Sequence, residues 1–476
     1  MAGGNTADGA ATKKPRPEVF ADTYRPVRLP WLYRPVAVLI VVVALVQPLV
    51  YFAAIAGVGW ATLWWGSWGT RLLSAGSTGY GYRARGLIML LRVFVYLTPL
   101  VGGVMIVLLL LGALFPSRRD PGPRGYPLAR VEHRLIYAYV DKLCDIMRAP
   151  RPVRIDLRPD ANASASFDGG LSWVVRRRMV LTIGTTLIAG MTRRELTGVI
   201  AHEIGHFTQG MSMRSTRLLA AINRWFFRVI HERGLVDDIL GDGRDSEWVL
   251  IQLGSALIAF SLVVIRTLLW GIASVSRLIT MFMLRRMEIA ADRCEARVAG
   301  SEAFVRSMAR IVELNEGFRK AMELTRLEAV QRRLPEDFAG LALALTPRLP
   351  RDPNGFVSGF SESGSLWSTH PPMAQRVALA IRMAEPGIVL SDGPATKLLA
   401  PFDGVSRSVT KHLHEQVVGG SLAGIRVLST DALLGRGEHD PARIRAAAPA
   451  QPQPVKKGEA RHEPVSDGEV IPFADS

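Results

Sequence analysis

Two long stretches of this chain carry no charge at all. Val36–Trp60 runs for 25 residues and Val93–Phe115 for 23. A helix of about 20 apolar residues is enough to cross the hydrocarbon core of a bilayer. Trp64, Trp65 and Trp68 follow the first run, and tryptophan favours the water–lipid boundary. Pro48 and Pro99 lie inside the runs; spanning helices accept proline where neighbours satisfy the freed backbone groups. Mostly polar sequence precedes the first run, which is too long for the apolar part of a cleavable signal. A two-helix transmembrane hairpin over 36–115 is therefore expected.

Basic residues orient it. Arg25, Arg28 and Arg34 precede the hairpin, and Arg118, Arg119, Arg124 and Arg130 follow it. With Lys13, Lys14 and Arg16 they outweigh Arg71, Arg83, Arg85 and Arg92 of the loop. The positive-inside rule then puts both ends in the cytoplasm. This predicts a multi-pass protein of the cell's inner or plasma membrane, with its main domain facing the cytoplasm and the lipid bilayer as a partner. A third apolar region, Trp248–Leu284, is interrupted only by Arg266 and Arg277. It is expected as a membrane-associated hairpin.

The net charge is +16. The basic residues are spread along the chain and no nucleic-acid-binding motif accompanies them, so no nucleic-acid partner is expected. Cys144 and Cys294 are the only cysteines, too few for a disulfide framework or a zinc ribbon.

Between the hairpin and the polar end, Val153–Leu157 alternates as a strand does. Leu171–Val175 and Val180–Gly184 flank the basic tip Arg176–Arg178 as a β-hairpin would. Thr192 with Glu195 three residues on is a capping box that opens a helix. Ser301–Arg333 has amphipathic helical spacing. The division expected is a cytoplasmic segment over 1–35, the hairpin over 36–115, a main domain over 116–440 and a disordered tail over 441–476.

The predicted helix contains His202-Glu203-Ile204-Gly205-His206. Residues i and i+4 share a helix face, so two imidazoles can meet one zinc ion while the intervening Glu points at its water. Zinc lowers the pKa of that water, Glu203 takes the proton, and the hydroxide attacks a polarised carbonyl. One zinc ion per chain is the expected cofactor. A catalytic zinc needs a third protein ligand and one open position. Glu288 and Asp292, one turn apart downstream, are candidates for ligand and ligand support. Alone, such a pair is an ordinary solvated helix face; here it follows an apolar stretch with little room for solvation. Arg214–Arg228, with Trp225, Phe226 and Phe227 among arginines, reads as a segment resting on headgroups.

Together these residues resemble the HtpX-like membrane metallopeptidases, the group that includes the type-1 CAAX prenyl proteases. The likeness runs through the two spans, Asn162-Ala163-Ser164-Ala165, the strand at 180–184, the H-E-x-x-H helix and Glu288-Ile289-Ala290-Ala291-Asp292. It ends on Ser368-Thr369-His370-Pro371-Pro372 with Arg376. The resemblance implies an α+β membrane protein, a mainly helical gluzincin-type domain with a small sheet plus transmembrane helices. It implies Glu288 as third ligand and Asp292 behind the ligand shell. It implies His370 and Arg376 as cleft residues steadying the oxyanion, and Asn162, Ala163, Val180 and Thr182 as binding the substrate backbone. The function implied is hydrolysis of polypeptides at the membrane, in quality control of membrane proteins. A dedicated CAAX-type maturation protease is the alternative, and a catalytically idle scaffold the other. The intact ligand set with Glu203 argues against the scaffold. The oligomeric state has no signature in the sequence.

Overall fold

The computed structural model describes residues 19–21, 24–27, 33–74, 82–112, 114, 124–168, 178–209, 211–231, 241–242, 246–347, 371–390, 392–418 and 422–435. The first uncharged run is helix α1, Tyr33–Trp68, and the second is α2, Tyr82–Gly112. In hydrocarbon every backbone group must be satisfied within its own segment, which forces the helix despite Pro48 and Pro99. The two pack antiparallel. Tyr51 Oη donates to Leu110 O (2.6 Å) near one end, and Trp65 Nε1 donates to Tyr96 O (3.1 Å) near the other. Between them Gly103 lies so close to Thr62 that no Cβ would fit.

The remaining elements form a helical domain around a four-stranded sheet of order β1-β2-β4-β3. The strands are β1 (Tyr126–Pro127), β2 (Pro152–Arg158), β3 (Ala163–Phe167) and β4 (Met179–Gly184). β2 and β4 are parallel; β3 runs antiparallel to β4. The strands expected at 153–157 and 180–184 are present. The antiparallel partner of β4 is Ala163–Phe167 rather than Leu171–Val175, which lies outside the described residues. An Ala-Ser-Ala-Ser run has little β propensity of its own, so tertiary packing, not local preference, makes it a strand. Helices α3 (Arg134–Met147), α4 (Thr185–Gly190), α5 (Arg193–Thr208) and α6 (Met211–His231) come next in this half of the domain. The proposed tail, 441–476, also lies outside the described residues.

The expected hairpin at 248–284 is not a hairpin. α7 is a single helix, Val249–Ala299, of 51 residues. No Pro or polar turn cluster interrupts the stretch, so nothing in it can reverse the chain. It stops at Gly300, whose φ of 99° suits glycine and where a Cβ would press on Pro386 O. α1, α2 and α7 are the three described helices long and apolar enough to cross a membrane. α8 (Ser301–Val330), α9 (Phe338–Ala344), α10 (Met373–Met383) and α11 (Phe402–Val418) follow in the domain, with a short parallel pair of strands, Arg333–Pro335 and Arg426–Leu428, and a last helix, Thr430–Gly435. The amphipathic helix expected from Ser301 is α8.

Trp225, Phe226 and Phe227 of α6 pack against other helices of the bundle. Phe226 is fully buried, Trp225 packs on Tyr51 with ring centres 4.7 Å apart, and Arg277 covers Phe227. The apolar face of α6 is spent inside the bundle with α1 and α7.

The residues before α1 are built into the domain. Phe20 bridges to Val389; Ala21 N donates to Ile388 O (2.8 Å) and Leu390 N to Val19 O (3.0 Å). Tyr24 Oη donates to Cys294 Sγ (3.8 Å), and Arg297 Nη1 donates to Arg25 O (2.8 Å). This strap runs along the back of α7. The first turns of α1 follow it inward: Ile40 and Ala44 lie in the same core as Ile155, Leu181 and Ile200.

Candidate metal centre

The capping box is formed as its sequence requires. Thr192 Oγ1 accepts from Glu195 N (3.3 Å) and Glu195 Oε2 accepts from Thr192 N (2.9 Å). It fixes where α5 begins, and so which face carries His202, Glu203 and His206. Two glycines on α5 let α7 approach. A Cβ at Gly198 would sit 2.9 Å from Ala299 Cβ, and one at Gly205 would sit 3.1 Å from Cys294 Cβ. The glycine within the motif is thus a packing residue, and it brings the carboxylates of α7 up to the imidazoles of α5.

His202 Nε2 lies 3.5 Å from Glu288 Oε2, and His206 Nε2 lies 3.5 Å from Glu288 Oε1. Donors held at about 2.0–2.1 Å around a tetrahedral ion stand roughly 3.3 Å apart. Two imidazole nitrogens, each 3.5 Å from a different oxygen of one carboxylate, are donor types that suit zinc at a spacing close to that value. The ligand atoms of His202, Glu203 and His206 also lie within 4.8 Å of one another. His202 and Glu288 are buried (9% and 8% exposed), while Glu203 and His206 are half-buried, which leaves one side of the cluster open.

Behind His202, Nδ1 is 3.2 Å from Asp292 Oδ1 and 3.6 Å from Glu295 Oε2. It is buried and makes no hydrogen bond of good geometry to either. An orphaned ring nitrogen facing two carboxylates is what a ligand histidine needs: a metal on Nε2 makes Nδ1 an N–H donor toward them. Burial alone would lower the pKa of His202, but the carboxylates of Asp292 and Glu288 outweigh it and hold the imidazole well above its usual 6.5. The sign then runs opposite ways for two properties. The carboxylate–imidazolium contacts stabilise the metal-free fold below pH 6.5 and are lost as pH rises through the raised pKa. Zinc must displace that proton, so its affinity is expected to fall about tenfold per unit as pH drops below the raised value. Chelator competition between pH 6 and 9 checks this; an affinity flat across that range would contradict it.

Glu203 points to the open side. Its Oε2 accepts from Ala165 N (3.1 Å), so the acid is tethered to the outer edge of β3. Ala163 lies on the same strand, buried, and its N–H is taken by the Asn162 side chain (2.9 Å). Val180 and Thr182 do not join them. They sit on β4, an inner strand paired with β2 on one side and β3 on the other. The strand edge nearest the acid is β3, so these two support the edge from behind.

Arg376 is placed differently from the expectation of an oxyanion residue. Its Nε and Nη2 grip both oxygens of Asp292 (2.8 and 2.6 Å). Two of its donors are thereby spent on holding Asp292 against His202. His370 lies outside the described residues. Glu295 was not anticipated. It is 1% exposed, one turn beyond Asp292, and accepts from Ser307 Oγ (2.8 Å). The signal was present: Glu288, Asp292 and Glu295 follow i, i+4, i+7 spacing, one continuous helix face. Gln209 was also missed. It donates from Nε2 to Met287 O (3.0 Å), tying the end of α5 to the residue before Glu288.

Comparison with known proteins shows the family of the chain. The model of peptidase family M48 matches residues 142–384, just over half of the 476 residues. A protein named Protease HtpX from Klebsiella pneumoniae is 27% identical over 230 residues, 48% of this chain and 65% of that relative. Another of that name, from Mannheimia succiniciproducens, is 26% identical over 229 residues, 48% of this chain and 66% of its own length. One from Acinetobacter baylyi is 25% identical over 202 residues and is covered over 56% of its length. The chain thus spans just under two thirds of the first two relatives. No solved structure matches it. The matched span holds α5, the metal-facing part of α7, and Arg376 in one block, and on that span the chain belongs to peptidase family M48.

Proposed function

We propose that this chain is an integral-membrane, zinc-dependent endopeptidase that cleaves membrane or membrane-proximal polypeptides on the cytoplasmic side, in quality control of membrane proteins. The observation that carries it is the convergence of His202, His206 and Glu288 around a point with Glu203 on its open side. His202, His206 and Glu288 would hold one zinc ion, which supplies Lewis-acid and water-activating chemistry when bound. Glu203 takes the proton of the attacking water and passes it to the leaving amine, the two halves of general acid–base catalysis. The outer edge of β3, where Asn162 and Glu203 cap the N–H groups of Ala163 and Ala165, is the strand edge that an extended substrate would pair with on displacing these caps. Asp292 keeps His202 oriented, and Arg376 keeps Asp292 oriented.

Two features support a membrane-proximal substrate. Phe282, 54% exposed, stands six residues before Glu288 on the uninterrupted helix α7, roughly 9 Å along its axis. Residues 19–21 pair with 388–390, so the start of α1 and the proposed peptidase domain share one side of any bilayer that α1 enters.

The test is metal removal from the full chain in detergent. Casein cleavage is expected to stop after dialysis against 1,10-phenanthroline and to return with about one equivalent of zinc. Cleavage untouched by chelator would overturn the metallopeptidase assignment. Zinc uptake without cleavage of casein or of any membrane-protein substrate would favour the scaffold. Cleavage confined to one dedicated substrate would favour the maturation protease.

A further inference from the structure

A buried polar network sits among the helices well away from the metal. Gln47 of α1, Asn223 of α6 and Ser276 and Thr280 of α7 are 1%, 6%, 1% and 2% exposed. Asn223 is the hub. Its Oδ1 accepts from Gln47 Nε2 (3.2 Å) and faces Ser276 Oγ (2.8 Å), and its Nδ2 donates to Thr280 Oγ1 (2.9 Å). Ser276 Oγ also stands 3.1 Å from Gln47 Oε1, and Thr280 Oγ1 donates to Ser276 O (2.8 Å). The surroundings are apolar: Tyr51, Phe226, Leu269 and Ala273 pack in the neighbouring turns. An amide without a partner is costly in such a place, so each helix can slide only by breaking several bonds at once.

The position of the network gives it a consequence at the metal. α7 runs without a break from Ser276 to Glu288, twelve residues or about 18 Å of rigid rod. α6 starts three residues after α5 ends at Thr208, and α5 carries His202 and His206. The network therefore joins the continuation of the histidine helix to the same helix that supplies the third donor. Gln209 to Met287 is the near fastening of that pair (3.0 Å); Asn223 to Ser276 and Thr280 is the far one. Two fastenings fix both the spacing and the axial register of α6 against α7. Gln47 adds α1 to the far fastening.

We propose that Asn223 is a positioning residue of the metal site: through Ser276 and Thr280 it sets the register of Glu288 against His202 and His206, and Gln47 couples that register to the first apolar helix. This rests on the assignment of those three residues as metal donors. A site whose donors are out of register by a fraction of a turn loses metal affinity without losing the fold.

The experiment uses the full chain in detergent and reads zinc affinity by chelator competition, with helix content followed by circular dichroism. Asn223→Leu keeps the branched outline of the side chain and removes its three bonds; Thr280→Val keeps the shape and removes two, the one from Asn223 Nδ2 and the one to Ser276 O. Zinc affinity is expected to fall about tenfold in Asn223→Leu and about threefold in Thr280→Val, at unchanged helix content. The double variant is expected to lose no more than Asn223→Leu alone, because both act through one link. An affinity within twofold of wild type in folded Thr280→Val and Asn223→Leu would overturn the proposal, whatever happened to thermal stability. If Asn223→Leu does not fold, Thr280→Val decides by the same readout. Wild-type protein that binds no zinc would instead sink the metal assignment itself.

Discussion

Replacing Glu203 with Gln is expected to lower kcat by about a thousandfold while zinc affinity and KM stay near wild type. General acid–base catalysis is worth roughly 10²–10⁴ in rate, and an amide can neither take nor return a proton at neutral pH. The substitution is otherwise mild. Glu203 accepts a hydrogen bond from Ala165 N, and the amide oxygen of Gln can accept the same bond. The two histidines and Glu288 are untouched, so the metal has no reason to leave. Steady-state cleavage of a fluorogenic peptide, with zinc content measured on the same sample, checks both halves. A kcat within tenfold of wild type would assign the base elsewhere. Loss of zinc together with activity would mean that Glu203 is a ligand and not the base.

The second large effect concerns the pair behind His202. Arg376→Met is expected to destabilise the fold by about 3–5 kcal/mol, the usual cost of removing one partner from a buried ion pair. Asp292 is 2% exposed and its arginine partner's side chain only 12%, so solvent screening does little to soften the loss. Asp292 would be left with His202 alone, and an orienting carboxylate that can swing costs zinc affinity roughly 10–100-fold. Arg376→Lys should recover only part, because an ammonium cannot grip both oxygens of a carboxylate in one plane. Removing Asp292 as well, in Asp292→Asn with Arg376→Met, should cost less than the sum of the two single changes. Urea unfolding and chelator competition are the measurements. A stability loss under about 1 kcal/mol, with unchanged zinc affinity, would show that the pair does not act on the site.

Much of the proposed donor set was legible because a helix projects its sequence onto space in a simple way. His202, Glu203 and His206 are one turn of one helix, and Thr192 with Glu195 marks where that helix begins. Glu288 and Asp292 followed from the same logic, and Glu295 could have. What failed to show was pairing between distant segments. Ala163–Phe167 is made a strand by β4, and its small alternating residues give no local sign of it. Arg376 looked like a cleft residue until the fold showed its guanidinium facing Asp292, 84 residues back. The stretch 248–284 misled for another reason. Its length suggested two short elements, whereas the missing turn residues, read strictly, already implied one. The aromatic run of α6 shows the limit of composition: Trp, Phe and Arg together suit both a headgroup layer and a bundle interior, and only the neighbours on α1 and α7 decide.

The strap before α1 bears on how the molecule comes to be made. Its bridge joins Phe20 to Val389, about three quarters of the chain's 476 residues apart. A ribosome delivers residue 20 long before residue 389, at roughly 5–20 residues per second. For tens of seconds the apolar helices are free to enter the bilayer, but the back of the donor helix has nothing to close on. The pairing of residues 19–21 forms only when the stretch around 388–390 has emerged and docked. A nascent chain cut short before that point would carry His202, His206 and Glu288, the proposed metal donors, and still lack the pairing of 19–21 with 388–390. Synthesis past residue 390 is in that sense written into the topology, as the event that lets the clasp close.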